Sequence, residues 1–200
     1  MNPRLYASAA ALAFACARPA FAQDTIQAPP SLAPGRHALS FAIPQSGETT
    51  IGGWVNLTAR SQLGLEISGD LQDQERDGDG GSRHLRQGQA HVGVALRRFV
   101  PRSATVAPFV GGSVFAGGGL LRVADSLSTV TRSFWDVGAS VGVGVEWFPV
   151  APVSVGGMVG ARAVYQHGHD RDDVSGGHEA TENTVFLSTA TSSLSLKIYF

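Results

Sequence analysis

The sequence predicts an all-β chain folded as an eight-stranded antiparallel up-and-down transmembrane β-barrel. Three observations carry this. Past residue 22 no stretch has the length and 3.6-residue period of an amphipathic helix, whereas many stretches alternate apolar and polar residues with period two. One of these, residues 132–148, keeps the alternation almost from end to end and has a Trp near each end. The connections between alternating stretches are short and long by turns, as expected when one rim of a barrel carries tight turns and the other longer excursions.

Residues 1–22 read as an export signal. Arg4 gives a short basic start, Leu5 to Ala17 is apolar, and Ala20-Phe21-Ala22 fits the small-x-small cleavage rule, so the mature chain is expected to start at Gln23. The apolar run is too short to cross a bilayer as a helix, which takes about 20 residues. The single cysteine, Cys16, falls in this segment, so the mature chain can form no disulfide. Residues 23–35, rich in Pro and Ala, read as a disordered leader, and residues 36–200 as the barrel.

Arg4 and Arg18 leave with the signal, so 13 of the 15 Lys and Arg face 16 Asp and Glu, a net charge of −3. No basic field is available to hold nucleic acid. A barrel strand spans a bilayer with only about 9–11 residues, so the lack of a long apolar run is no argument against a membrane protein. Strands can span only when the sheet closes, because backbone groups in lipid must all be paired.

Eight strands are expected at residues 36–44, 50–59, 63–72, 86–99, 106–123, 132–148, 153–166 and 184–200. The connections at 59–62, 100–105 and 149–152 are short. Those at 70–85, 124–131 and 167–183 are long and polar, and 45–49 is a brief member of the same outer set. In the third strand Leu63, Leu65, Ile67 and Leu71 oppose Gly64, Glu66, Ser68 and Asp70. In the fourth, Ala90, Val92, Val94 and Leu96 oppose Gln89, His91, Gly93 and Arg97. The fifth is irregular: Val106, Val110 and Val114 share one face, but Phe109, Phe115 and Leu121 share the other, and Gly117-Gly118-Gly119 predicts a bulge. Trp54 in the second strand also falls on the polar face.

The sixth strand sets Trp135, Val137, Ala139, Val141, Val143, Val145 and Trp147 against Asp136, Gly138, Ser140, Gly142, Gly144 and Glu146. Twelve residues at about 3.3 Å each and a tilt near 40° separate the two Trp by roughly 30 Å along the normal, the spacing of two aromatic girdles. In the seventh, Val153, Val155, Val159, Ala161 and Tyr165 oppose Ser154, Gly156, Arg162 and Gln166. The eighth alternates through Leu194, Leu196 and Ile198 and ends on Phe200.

The runs Val106-Ala107-Pro108-Phe109-Val110-Gly111-Gly112 and Val137 to Trp147, with the terminal Phe200, resemble the strand motifs of the small eight-stranded outer-membrane β-barrel superfamily. That group includes the OmpA transmembrane domain, OmpX-like and opacity-like proteins. The resemblance implies the cell outer membrane as location, with contact to its lipids and lipopolysaccharide. It also implies that Leu194, Leu196, Ile198 and Phe200 form the signal read by the barrel assembly machinery.

An eight-stranded barrel has an interior just wide enough for side chains. The inward polar set is Glu66, Asp70, His91, Arg97, Asp136, Glu146, Arg162 and Lys197, and both signs are present. Ion pairs are therefore expected to plug the lumen. Asp73-x-Glu75-x-Asp77-Gly78-Asp79 starts like a calcium loop, but its twelfth position is His84 and not Glu, so a solvated acidic hairpin is expected. His167-Gly168-His169-Asp170, with His178, reads as an exposed polar loop and not a metal site. Arg83, Arg86, Arg132 and Arg171 lie near the outer rim, where lipopolysaccharide phosphates would meet them. No cofactor and no metal are expected. The expected function is a monomeric, non-enzymatic envelope protein with a structural or adhesive role. One alternative is a lipid A-modifying enzyme, which needs a paired His and Ser, whereas His37 and Ser40 fall on opposite faces of their strand. The other is a soluble periplasmic barrel for a lipophilic ligand, which needs its apolar faces to point inward.

Overall fold

The computed structural model describes residues 28–44, 48–78, 81–100, 103–124, 129–172 and 179–200. The expected signal at 1–22 lies outside them. The strands are β1 (His37–Pro44), β2 (Thr49–Thr58), β3 (Ser61–Gly78), β4 (Gly81–Phe99), β5 (Val106–Ala124), β6 (Thr129–Val150), β7 (Val153–Asp172) and β8 (Glu179–Tyr199). They pair in chain order, every pair is antiparallel, and β1 pairs with β8 to close the barrel. The seam runs from Ala38 paired with Tyr199 to Pro44 paired with Ser193, and a closed sheet is the condition for strands in lipid. Paired residues lead from Lys197 through Ser40, Gly52, Glu66, Gly93, Phe115, Gly138 and Val164 back to β8 at Phe186, eleven positions away. That stagger tilts the strands. The register shift between Gly160 and Arg162 contributes to it.

The apolar faces point outward. Leu65, Ile67, Val92, Val94, Val141, Val143 and Val159 are exposed, as are Trp135 and Trp147. Their strand neighbours Gly64, His91, Gly93, Gly142 and Asp136 are buried. A soluble protein seldom exposes so continuous an apolar band. The same geometry removes the basis for a barrel with an apolar interior.

Three sequence expectations are corrected. First, the fifth strand has no bulge: β5 pairs without a shift through Gly117, Gly118 and Gly119 on both sides. Its inward aromatics are matched by glycines on the next strand. Phe109 lies opposite Gly144 and Phe115 opposite Gly138, where an added Cβ would stand 2.4 and 2.3 Å from the rings. Trp54 is housed in the same way over Gly64, where a Cβ would stand 2.6 Å from the indole. Alternate glycines thus free the volume that large rings need inside a narrow barrel.

Second, much of the supposed outer loops is strand. β3 and β4 pair up to Gly78 and Gly81, and β7 and β8 up to Arg171 and Glu179. These extensions are polar on both faces, so alternation cannot reveal them, yet the ladder carries them on. Cross-strand pairs add to it: His84 and Glu75 at 3.2 Å, and Arg132 with Asp170 at 3.4 Å and Glu182 at 3.1 Å. The side chains of Asp77, Arg83 and Arg171, and all of Asp79 and His178, lie outside the described residues.

Third, the end of the leader is ordered. Pro30–Leu32 form a 3-10 turn at the barrel end where β1 begins and β8 ends, with Ser31 and Leu32 buried. Asn56 donates to the carbonyls of Ser31 (2.7 Å) and Ala33 (3.0 Å), and Ser31 Oγ donates to Ala151 O. A Pro-rich composition suggested disorder, but the tertiary site supplies what local propensity does not.

Candidate functional site

The lumen is the natural site, because every charged side chain inside it must be paired or bonded to stay there. It divides into a packed floor and a cavity.

The floor begins with an apolar layer, in which Leu32 clusters with Ala38, Phe99, Ala107, Phe148 and Tyr199. Above it is a polar layer from β2, β3, β4, β6, β7 and β8. Lys197 is the only lysine of the 200 residues, and it is fully buried. Its Nζ donates to Gln62 Oε1 at 2.7 Å and to Glu146 Oε2 at 3.3 Å. Glu146, also fully buried, accepts at Oε1 from Tyr199 Oη (2.6 Å) and from Ser154 Oγ. Arg97 Nη1 stands 3.6 Å from Glu146 Oε2. Gln62 Nε2 donates to Asn56 Oδ1 (2.7 Å) and Tyr199 Oη (3.0 Å), tying this layer to the capping turn.

Trp54 roofs the cluster. Lys197 Nζ lies 4.3 Å and Arg97 Cζ 4.5 Å from its ring, within cation–π range. Its Nε1–H donates to Ser40 Oγ at 2.8 Å. Ser40 is therefore committed to the lumen, while His37 stacks on Phe200 at 6.2 Å. These two residues do not form a catalytic pair.

A second group lies farther up. His91 Nε2 is 3.0 Å from Asp136 Oδ2, and Nδ1 is 3.8 Å from Glu48 Oε2. Gln89 Nε2 donates to Glu48 Oε1 at 2.8 Å, and the His91 ring meets Phe115 edge-on at 5.8 Å. Above the floor a cavity of about 650 Å³ is lined by both groups and by residues of β5 to β8.

The eight residues expected to fill the lumen thus fall into separate places. Glu146, Arg97 and Lys197 meet in the floor, while Glu66 on β3 lines the cavity beside Arg97. His91 and Asp136 form the second group. Arg162 stands instead over the Phe115 ring at 4.3 Å. Asp70 lies beyond the last β2–β3 pair, Thr49 with Gly69, and takes no part in these contacts among the described residues. Gln62, Tyr199 and Glu48 are participants that sequence reasoning did not place, while Ser154 and Trp54 were put on the inward face without a role. Tyr199 and Ser154 alternate with outward residues and were legible by parity. Gln62 was assigned to a turn and Glu48 to a loop.

On the outer surface Trp135 packs against Tyr165 at 5.7 Å and His167 at 5.4 Å between ring centres. His167 Nδ1 is also 2.7 Å from Asn183 Oδ1, so the histidine belongs to this aromatic cluster. Among the described residues no three His, Cys, Asp or Glu gather as metal ligands. Leu194, Leu196, Ile198 and Phe200 are exposed on the outer face of β8.

No protein-family model and no curated protein gives a significant match to the chain. Solved structures do. A major outer membrane protein from Thermus thermophilus superposes with TM-score 0.58 at 10% identity, over 82% of this chain and 98% of that one. The N-terminal β-barrel domain of Pseudomonas aeruginosa OprF gives 0.45 at 11% identity, over 84% and 98%. Neisserial surface protein A gives 0.44 at 12%, over 82% and 94%. With eight antiparallel strands in closed up-and-down order and an apolar outer face, the chain has the fold of the small eight-stranded outer-membrane β-barrels.

Proposed function

We propose that the protein is a monomeric, non-enzymatic outer-membrane β-barrel with a structural or adhesive role in the cell envelope, and that its lumen is closed to solutes. In this reading the signal at 1–22 is cleaved on export, and the barrel assembly machinery reads the terminal strand. Lipids cover the band between Trp135 and Trp147, and lipopolysaccharide meets the outer rim. The observation that carries closure is the floor: Leu32, Phe99, Glu146 and Lys197 are each 0–1% exposed, in successive layers across the lumen. An ion would have to break the Glu146–Lys197 pair to pass. The test is conductance of purified, folded protein in planar bilayers. No porin-like steps are expected, and a large, steady conductance would overturn the reading. The polar extensions of β3–β4 and β7–β8 support a role at the outer surface.

A further inference from the structure

Arg162 differs from the other cationic residues of the lumen in having no ion pair among the described residues, where Arg97 and Lys197 have Glu146. Two acids line the cavity above the floor: Glu48 stands beside His91 and Gln89, and Glu66 lies in the field of Arg97 and Lys197. Arg97 is held by Glu146 and the Trp54 and Phe109 rings. Arg162 has no carboxylate partner among the described residues. One face of its guanidinium covers Phe115, and its buried Nε has no hydrogen-bond partner. A guanidinium cannot neutralise itself by losing a proton, so half-buried Arg162 keeps its charge and offers its free donors to the cavity.

The neighbouring residues suit one. Four adjacent strands place Ser113, Ser140, Arg162 and Ser188 in a single hydrogen-bonded row, and all four line the cavity. Ser113 and Ser140 share a hydrogen bond of 2.8 Å, so one of the two hydroxyls keeps a proton to donate. The row is a cradle of hydroxyl and guanidinium donors for an oxyanion. The rest of the wall is mixed, and its apolar part is Phe115, Met158, Val164 and Phe186. Phe186 and Ser188 are exposed, so the cavity is reached on that side. There the wall is low, because β1 and β2 end at Pro44 and Thr49 while β8 runs on to Glu179.

We propose that this cavity binds an amphiphilic monocarboxylate, its carboxylate on Arg162 and the serine row and its apolar body against Phe115, Met158 and Phe186. A volume of about 650 Å³ fits a small organic ligand. A second negative charge is disfavoured, since Glu48 and Glu66 line the same cavity. The site does not depend on whether the floor conducts. The ligand can come from the bilayer, as a fatty acid, or from the aqueous side, as an aromatic acid.

The test uses the full folded chain in nanodiscs of zwitterionic lipid and equilibrium binding of radiolabelled decanoate and of radiolabelled benzoate, against decanol and benzyl alcohol. Saturable binding of at least one acid, and not of its alcohol, is expected. Decanoate alone identifies the bilayer source and benzoate alone the aqueous one. Arg162→Gln should weaken binding at least tenfold, while Arg86→Gln on the outside should not. Ser140→Asp places a carboxylate beside Arg162 and should abolish binding even if Arg162→Gln does not fold. Heat-modifiable migration on gels checks folding. The proposal is overturned if neither acid binds saturably, if the alcohols bind equally well, or if folded Arg162→Gln or Ser140→Asp protein binds as the wild type does.

Discussion

Replacing Lys197 by Met keeps the length of the side chain and removes its charge. The ammonium is fully buried, donates to Gln62 and Glu146, and lies on the Trp54 ring. Removing one partner of a buried ion pair typically costs about 3–5 kcal/mol, mostly because the other charge is stranded. Glu146 would keep Ser154, Tyr199 and, at 3.6 Å, Arg97. The loss should therefore lie at the low end, about 3 kcal/mol. Neutralising both residues, Lys197→Met with Glu146→Gln, should cost less than the two single changes added, with a coupling on the order of 1–3 kcal/mol. The assay is reversible urea unfolding in phospholipid vesicles, followed by tryptophan fluorescence. A single-variant loss below about 1 kcal/mol, together with additive behaviour in the double variant, would refute the idea that this pair holds the floor together.

Other consequences are as specific. Val141→Arg puts a cation on the outward face of β6 and should destabilise the folded barrel by about 2–4 kcal/mol if that face meets hydrocarbon, read in the same unfolding assay. Gly64→Ala would press a methyl to within 2.6 Å of Trp54, which Ser40 and two cations hold in place, and should cost about 1–3 kcal/mol. Gly53→Ala, with open space around its Cβ, is the neutral control. Deleting Phe200 removes the paired His37 and Phe200 backbone bonds, 2.9 and 3.2 Å, that finish the β1–β8 seam. Less folded protein in the membrane fraction is expected, and unchanged insertion would count against it.

Period-two alternation fixed the strands and their faces because burial in a barrel wall is decided residue by residue. It found the outward faces of β3, β4, β6, β7 and β8, and placed Glu146, Arg97 and Lys197 inside. It could not follow β3 beyond Leu71 or β7 beyond Gln166, where both faces are wetted and the pattern carries no contrast. Phe109, Phe115 and Trp54 looked like violations because the polar lumen was taken as wholly polar. The glycines that receive them sit on neighbouring strands, at positions only the register reveals. The capping turn at Pro30–Leu32 was illegible for a similar reason, since Asn56 and Ala151, which hold it, are distant in sequence. Partner choice inside the lumen depends on barrel stagger, so Arg162 could not be separated in advance from the paired residues.

The outward face of the barrel is tested most directly by single cysteines, in a chain without Cys16, at Val137, Val141, Val143 and Val145 and at Ser113, Ser140 and Ser154. Each is spin-labelled in folded protein in bilayers and probed with a lipid-soluble and a water-soluble relaxation agent. Labels at the four valines should respond to the lipid-soluble agent, most strongly at the middle of β6, and labels at the three serines should not. Water-exposed valines, or no alternation between the two sets, would contradict a membrane-spanning barrel.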